Sequence, residues 1–344
     1  MKNEYFFLLF LLTVKISFSQ LSSIHYIPPI TDSNTSPVGQ QNLFISTPSS
    51  SDISYSITAP GSGLVSSGLD LSQTNPINFT IGNSRNSQLH ELYDNSSTII
   101  SDKGYIIETS EPSYVSVRIR SGNGSQAGAL VSKGESGLGR VFRAGMFVNE
   151  SVQNKSLNFI SVMASLDNTQ VTFSNIKQNV VLSKPGADTT VGINYSENVT
   201  LNRGESYIIS SKISNNSGIG DALIGALIES NKDIIVNVGS LVGTNHSSDG
   251  GRDYGMDQIV PTSRIGNQYI FVRGNGNDEL ENILVVAHED DTEIILDGNG
   301  IVIANIDAGQ FHLIKGAAYG VNIKYYLKKN NLKLYPLFVF DFLL

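Results

Sequence analysis

SVMASLDNTQVTF (residues 161–173) and VVAHEDDTEIIL (285–296) decide the fold, because they are two versions of one pattern. Aligned without gaps, Ala164 falls on Ala287, Asp167 on Asp290, Thr169 on Thr292, Val171 on Ile294 and Phe173 on Leu296. An apolar run, an Asp-Asn or Asp-Asp turn re-entered through Thr, and a second apolar run describe a β-hairpin. Further echoes surround it. LNRGESYII (201–209) matches IDAGQFHLI (306–314), and IIETSEPSYVSV (106–117) matches LIESNKDIIVNV (227–238). Leu138-Gly139 and Phe142 answer Ile265-Gly266 and Tyr269. NLFISTPSSSDISYSI (42–57) reads as a decayed further copy of the hairpin. The offsets imply a period of about 120 residues, which suits modules of sandwich size better than solenoid repeats of about 20–50.

Elsewhere, short β-type runs alternate with Gly, Asn, Ser and Pro clusters, as in DISYSI (52–57), INFTI (77–81) and YVSVRI (114–119). No long stretch carries helical periodicity. The expected fold is therefore all-β: tandem β-sandwich-like modules with an internal repeat. The expected divisions are a signal peptide (1–19), an extended N-terminal segment (20–40), module 1 (41–157), module 2 (158–281) and an incomplete module 3 (282–344). Residues 321–344 lose the Gly/Asn texture and become Lys-, Tyr-, Leu- and Phe-rich. They read either as a buried strand or as an out-of-frame tail.

Tyr5–Val14 is an apolar run too short to span a bilayer, and Ser17-Phe18-Ser19 offers small residues before Gln20. That is the pattern of an export signal, and no transmembrane segment is expected in the mature chain. Formal net charge is −8 over 344 residues, without a basic cluster, which argues against nucleic acid and anionic membranes. The absence of cysteine removes disulfides, thiolate chemistry and cysteine metal sites, and in an exported chain it leans bacterial.

GTNHSSDGGRDYGMDQIVPTSRIG (243–266) is the densest polar, glycine-containing run, and reads as an elaborated loop between strands. His246, Asp249, Arg252, Asp253, Tyr254 and Asp257 are the candidate ligand-binding residues. Asp249, Asp253 and Asp257 recur every fourth residue, either as oxygen ligands converging on calcium or as turn-organising groups paired with Arg252. No other cofactor is expected. Acidic runs at 274–282 and 288–293 could nominate a glycosidase-type carboxylate pair, but Asp290 repeats Asp167 and reads as turn geometry. The five histidines lack metal-ligand spacing, and no nucleophile elbow or phosphate loop occurs.

HYIPPI (25–30), KGESGLGRVFRAG (133–145), FISVMASLDNTQVTF (159–173), GRDYGMDQIVPTSRIG (251–266) and ILVVAHEDDTEIIL (283–296) together resemble the IgGFc-binding protein N-terminal domain family. The resemblance is to its members in large secreted proteins of Bacteroidota, some of them type IX sorted and gliding-associated. It implies a non-catalytic secreted or cell-surface protein, on the outer surface of a Gram-negative bacterium, engaged in adhesion to an extracellular protein or glycan. A polysaccharide-acting enzyme, a carbohydrate-binding appendage and a structural spacer are the alternatives. The lack of Trp weakens the carbohydrate readings.

Overall fold

The computed structural model describes residues 20–32, 38–122, 124, 126–212, 218–244, 251–271, 282–296, 301–316, 323–329 and 338–340. The signal segment 1–19 lies outside the described residues. Among those described there is no α-helix, only strands and three 3-10 turns.

The strands fall into three groups in chain order. The first holds β1 (Ser22–Ile27), β2 (Ile30–Asp32), β3 (Val38–Ser46), β4 (Ile53–Ala59), β5 (Gly63–Leu71), β6 (Ile77–Gly82), β7 (His90–Leu92), β8 (Ile99–Ile100), β9 (Tyr105–Ser121) and β10 (Ala127–Val131). The second holds β11 (Gly139–Arg143), β12 (Leu157–Ala164), β13 (Thr169–Ser174), β14 (Val181–Leu182), β15 (Thr189–Thr190), β16 (Glu197–Leu201), β17 (Ser206–Lys212), β18 (Leu227–Gly243) and β19 (Asp253–Ile259). The third holds β20 (Gln268–Phe271), β21 (Ile283–Val286), β22 (Thr292–Leu296), β23 (Val302–Ile306), β24 (Phe311–Ile314), β25 (Ile323–Lys329) and β26 (Phe338–Phe340).

Each of the first two groups curls around one 17-residue strand. The first half of β9 pairs with β1 and β4, and its second half with β3 and β10. Exposed Pro112, which cannot donate to a ladder, sits between the halves. β18 is used the same way, its first half against β11 and β13 and its second against β12 and β19. Outer strands follow suit: β4–β5 and β3–β6 in the first group, β13–β16 and β12–β17 in the second. In the third group β22 and β21 again pair with β23 and β24, while the long strand's place is shared by β25 and β26.

The two hairpins that opened the sequence reading agree bond for bond. Asp167 Oδ1 accepts from the Arg203 amide at 2.9 Å, and Asp290 Oδ1 from the Ala308 amide at 3.1 Å. Thr169 Oγ1 donates to the Leu166 carbonyl at 2.6 Å, and Thr292 Oγ1 to the Glu289 carbonyl at 2.8 Å. Asn168 and Asp291 take the same left-handed φ, 54° and 55°. Asn and Asp tolerate that region better than most residues because a short polar side chain bonds locally. Asp290 is therefore a turn residue.

Strand alternation also explains how the groups pack. Along β12, Leu157 and Phe159 enter the first core, beside Leu43, Ile45 and Ile107, whereas Ile160, Val162 and Ala164 enter the second. Successive side chains of a strand point to opposite faces, so one apolar run can serve two cores. β21 repeats the device: Leu284 and Val286 join the second core, while Ile283 and Val285 join the third. A continuous apolar strand is the sequence sign of burial on both faces.

The described part of the N-terminal segment is extended and packed into the first group. Tyr26, Ile27 and Ile30 are buried, and β1 pairs along β9. Asp32 is held there by Arg85 Nη2 at 2.7 Å, His90 Nε2 at 3.3 Å and the Val38 amide at 2.6 Å. Burial raises this carboxyl, but His90, Arg85 and Val38 outweigh it and hold it below the usual carboxylate value.

Candidate functional site

The centre of the 251–266 run, Asp253–Ile259, is strand rather than loop. β19 pairs with β18 from Val236↔Ile259 to Gly243↔Asp253. The Gly and Asp residues that suggested a loop are accommodated by the sheet: a Cβ on Gly255 would lie 2.2 Å from the Phe147 ring, so glycine is needed for close packing. His246 and Asp249 lie outside the described residues.

Arg252 donates from Nη2 to Ser151 Oγ at 3.1 Å, just before the strand begins. Asp253 accepts from the Ala127 amide at 2.5 Å and so ties β19 to the start of β10. Tyr254 is a correction to the ligand-binding set, because it is 3% exposed and belongs to the first core with Met256. Asp257 pairs with Lys133 Nζ at 3.1 Å. Desolvation raises the Asp257 carboxyl and Lys133 partly opposes it.

The calcium arrangement needs the same correction for its described members. Four steps along a strand span about 13 Å, whereas two oxygens on one calcium lie within about 5 Å of each other. Asp253 and Asp257 do not converge, and they have different partners. No group of three or more His, Asp or Glu side chains with metal-binding geometry occurs among the described residues.

What this segment does bring together is a buried polar node that the sequence reading missed. Gln258 is fully buried and engaged through both ends of its amide. Nε2 donates to the Tyr26 carbonyl at 2.9 Å and to Asn237 Oδ1 at 3.1 Å. Oε1 accepts from the Lys133 amide at 2.7 Å and the Ser132 hydroxyl at 3.1 Å. Asn237 Nδ2 in turn donates to the Pro28 carbonyl at 3.0 Å. HYIPPI, KGESGLGRVFRAG and GRDYGMDQIVPTSRIG, far apart in the chain, therefore meet at one amide side chain.

His25 extends the node. Its Nε2 lies 3.0 Å from the Ser22 carbonyl and 3.1 Å from the Ser113 carbonyl, so this nitrogen carries the hydrogen. Nδ1, then an acceptor, lies 3.0 Å from Ser132 Oγ and shares that hydroxyl's one hydrogen with Gln258 Oε1. Burial drives the His25 pKa down to about 4, against the two carbonyl hydrogen bonds that raise it. The ring is neutral at physiological pH and acts as a rigid spacer. A general base needs a reachable proton to abstract, and this ring is fully buried.

Gly139 shows how closely the motifs fit. A Cβ there would sit 2.3 Å from Pro261, so KGESGLGRVFRAG and GRDYGMDQIVPTSRIG also meet by direct packing.

A second polar cluster lies in the next core. Glu197 accepts from Tyr195 at 2.5 Å, from the Tyr207 hydroxyl, and from Lys184 Nζ at 3.1 Å. Burial raises this carboxyl, but the three donors prevail and lower it. A carboxylate saturated by three donors is an anchor for β16 and not a free acid. Asp278, Glu279 and Glu281 lie outside the described residues.

These geometries belong to a recognisable class of protein: an all-β chain whose motif residues are spent on holding sheets together. The profile of the IgGFc binding protein family matches residues 127–341, more than half of the chain, and the chain belongs to that family. Among solved structures, a chain described as "Biofilm associated protein - BSP domain" is similar at 9% identity and a TM-score of 0.16, covering 98% of this chain and 69% of that one. No curated protein matches. No helix among the described residues is long and apolar enough to cross a membrane.

Proposed function

We propose that this protein is an extracellular or cell-surface binding module that adheres to a protein ligand and performs no chemistry. Family membership over 127–341 carries the reading. The buried node at Gln258 supports it, since His25, Asp32, Glu197 and Asp257, whose titration is perturbed, are each engaged by neighbouring groups of the fold. In this proposal three related modules form a row, exported from a Gram-negative bacterium of the Bacteroidota type. Ligand contact falls to the segment 245–250 together with Arg252, at the point where β18 gives way to β19. A binding site carried by a connecting segment on a rigid sheet is the ordinary division of labour in β proteins.

The test is a binding panel with the mature chain. Immobilised immunoglobulin Fc, other extracellular glycoproteins and neutral and acidic polysaccharides serve as probes. Saturable binding to a protein probe, lost when 245–250 is replaced by Gly/Ser and Arg252→Ala is added, supports the proposal. Release of new reducing ends from any polysaccharide contradicts it and favours the glycan-acting alternative. Silence across the panel favours a structural spacer.

A further inference from the structure

β12 and the second half of β18 turn an apolar face into the first core. Phe159 and Leu241 are buried there, and a Cβ on Gly239 would lie 2.6 Å from the Phe159 ring. The matching face of the first group lies open. FIS at 44–46 answers FIS at 159–161, and the match of 106–117 with 227–238, continued to 120, sets Arg118 on Gly239 and Arg120 on Leu241. Both arginines are exposed, as is Tyr114 on the same side of β9, because residues two apart in a strand share a face. The Arg118 guanidinium lies over the half-buried Phe44 ring, 5.0 Å from its centroid, which holds it in place. Arg120 Nη2 donates to the Gly124 carbonyl at 3.2 Å. Neither guanidinium pairs with a carboxylate among the described residues. β3, β6, β10 and residues 113–121 of β9 contain no Asp or Glu. Asp253, beside the start of β10, is engaged by the Ala127 amide. The register sets Asn42 and Thr80 in line with Arg118, and Asn78 and Ser116 in line with Phe44. A depression of about 520 Å³, lined by Gln40, Asn83, Arg120 and Gly124 among others, adjoins this face at Arg120.

We propose that this face of the first group binds an acidic polysaccharide. Arg118 and Arg120 take its carboxylate or sulfate groups, Asn42, Asn78, Thr80 and Ser116 meet its hydroxyls, and Tyr114 offers a ring to stack on. Charge complementarity selects the anion, since two guanidinium groups without carboxylate partners sit about 7 Å apart along one strand. They do so in a chain whose net charge is −8. A guanidinium fork holds two oxygens of one anionic group at once. The sheet selects a polysaccharide over an acidic peptide. β3 and the second half of β9 are paired on both sides, so their backbone groups are closed to strand addition. Nucleic-acid affinity grows with the number of phosphates neutralised, and two arginines are few for it. A solubilising face at the end of a row of modules needs only polar groups of either sign. This one carries a single sign of charge together with two aromatic rings. All of its residues named here precede the family-matched span 127–341.

Affinity electrophoresis of the mature chain at low salt, through gels holding polygalacturonate, dextran sulfate or neutral dextran, tests this. Retardation by at least one of the two anionic polymers, and not by neutral dextran, is expected. Joint Arg118→Gln and Arg120→Gln should weaken it by about tenfold or more, as for the loss of charge-assisted hydrogen bonds. Arg140→Gln, at an exposed arginine of the second group, should leave it unchanged. Tyr114→Ala, which alters no charge, should weaken it as well, a readout that general attraction to a polyanion would not move. All three side chains of the face are exposed, so the variants keep the fold, and matching unfolding midpoints verify it. No retardation by either anionic polymer overturns the inference, as does retardation that survives loss of both arginines or falls equally with Arg140→Gln. Tighter binding of polyglutamate or of a single-stranded oligonucleotide than of the polysaccharides also overturns it, in favour of an acidic protein or a nucleic acid. Replacing 245–250 with Gly/Ser should spare polysaccharide binding, and the double arginine variant should spare binding of a protein ligand, so the two proposals fail separately.

Discussion

The side-chain amide of Gln258 donates to the backbone carbonyl of Tyr26, 232 positions away in the chain, at 2.9 Å. One hydrogen bond thereby joins the first of the described strands to the last strand of the second group. The same amide accepts from Lys133, so three sequence motifs depend on one residue. Buried polar groups are costly when a partner is removed, about 1–3 kcal/mol for each group left unsatisfied.

Gln258→Leu should therefore destabilise the protein by roughly 3 kcal/mol or more, because it strands the Lys133 amide, the Tyr26 carbonyl and Asn237 together. Urea unfolding measures it. Gln258→Glu should also be damaging, since a carboxylate cannot donate to Tyr26.

Acid should weaken the fold through His25. Its folded pKa of about 4 lies below the ordinary value of 6.5, so the unfolded chain takes up the proton first. The stability is fully present above pH 6.5 and declines as pH falls from there to about 4, by roughly 3 kcal/mol in total. Asp32, held below the carboxylate range, adds a loss at lower pH still. Unfolding free energy measured across this range should fall, and the slope between pH 6.5 and 4 should flatten in His25→Gln.

Asp167→Ala and Asp290→Ala should cost similar amounts, about 1 kcal/mol each, because each removes one side-chain-to-amide bond at an equivalent turn. Matched shifts in melting temperature check the point. A large effect of Asp290→Ala on a hydrolytic activity, without the matching loss of stability, would instead make it a catalytic group.

Phe159→Ala should cost about 3–5 kcal/mol, as for a large aromatic removed from a core. Because Phe159 fills the first core from a strand of the second group, both groups should unfold together in one transition. Two separated transitions would show that the cores are independent.

Much of this was legible in the sequence. The hairpins at 161–173 and 285–296 could be read from Asp, Thr and apolar alternation, because a turn's chemistry is local. The sandwich-like all-β class followed from the same texture. The role of 251–266 was not legible: Gly251, Asp253, Gly255 and Asp257 look like a loop until Phe147 is seen packed against Gly255 and Lys133 against Asp257. Those are long-range contacts, and nothing within the segment announces them. Gln258 was missed for the same reason, since a buried amide is recognised by its partners and not by its neighbours in sequence. The best local sign was its place in a strand between buried Met256 and Ile259.

Hydrogen exchange across residues 253–259 tests the central claim, that this run is a structural strand binding the sheets together and not an open recognition loop. Amides of β19 bonded to β18 should exchange slowly, with protection comparable to that of Ile234–Leu241. Rapid exchange throughout 253–259, while β18 stays protected, would contradict the account and return the segment to the exposed loop that its composition suggests.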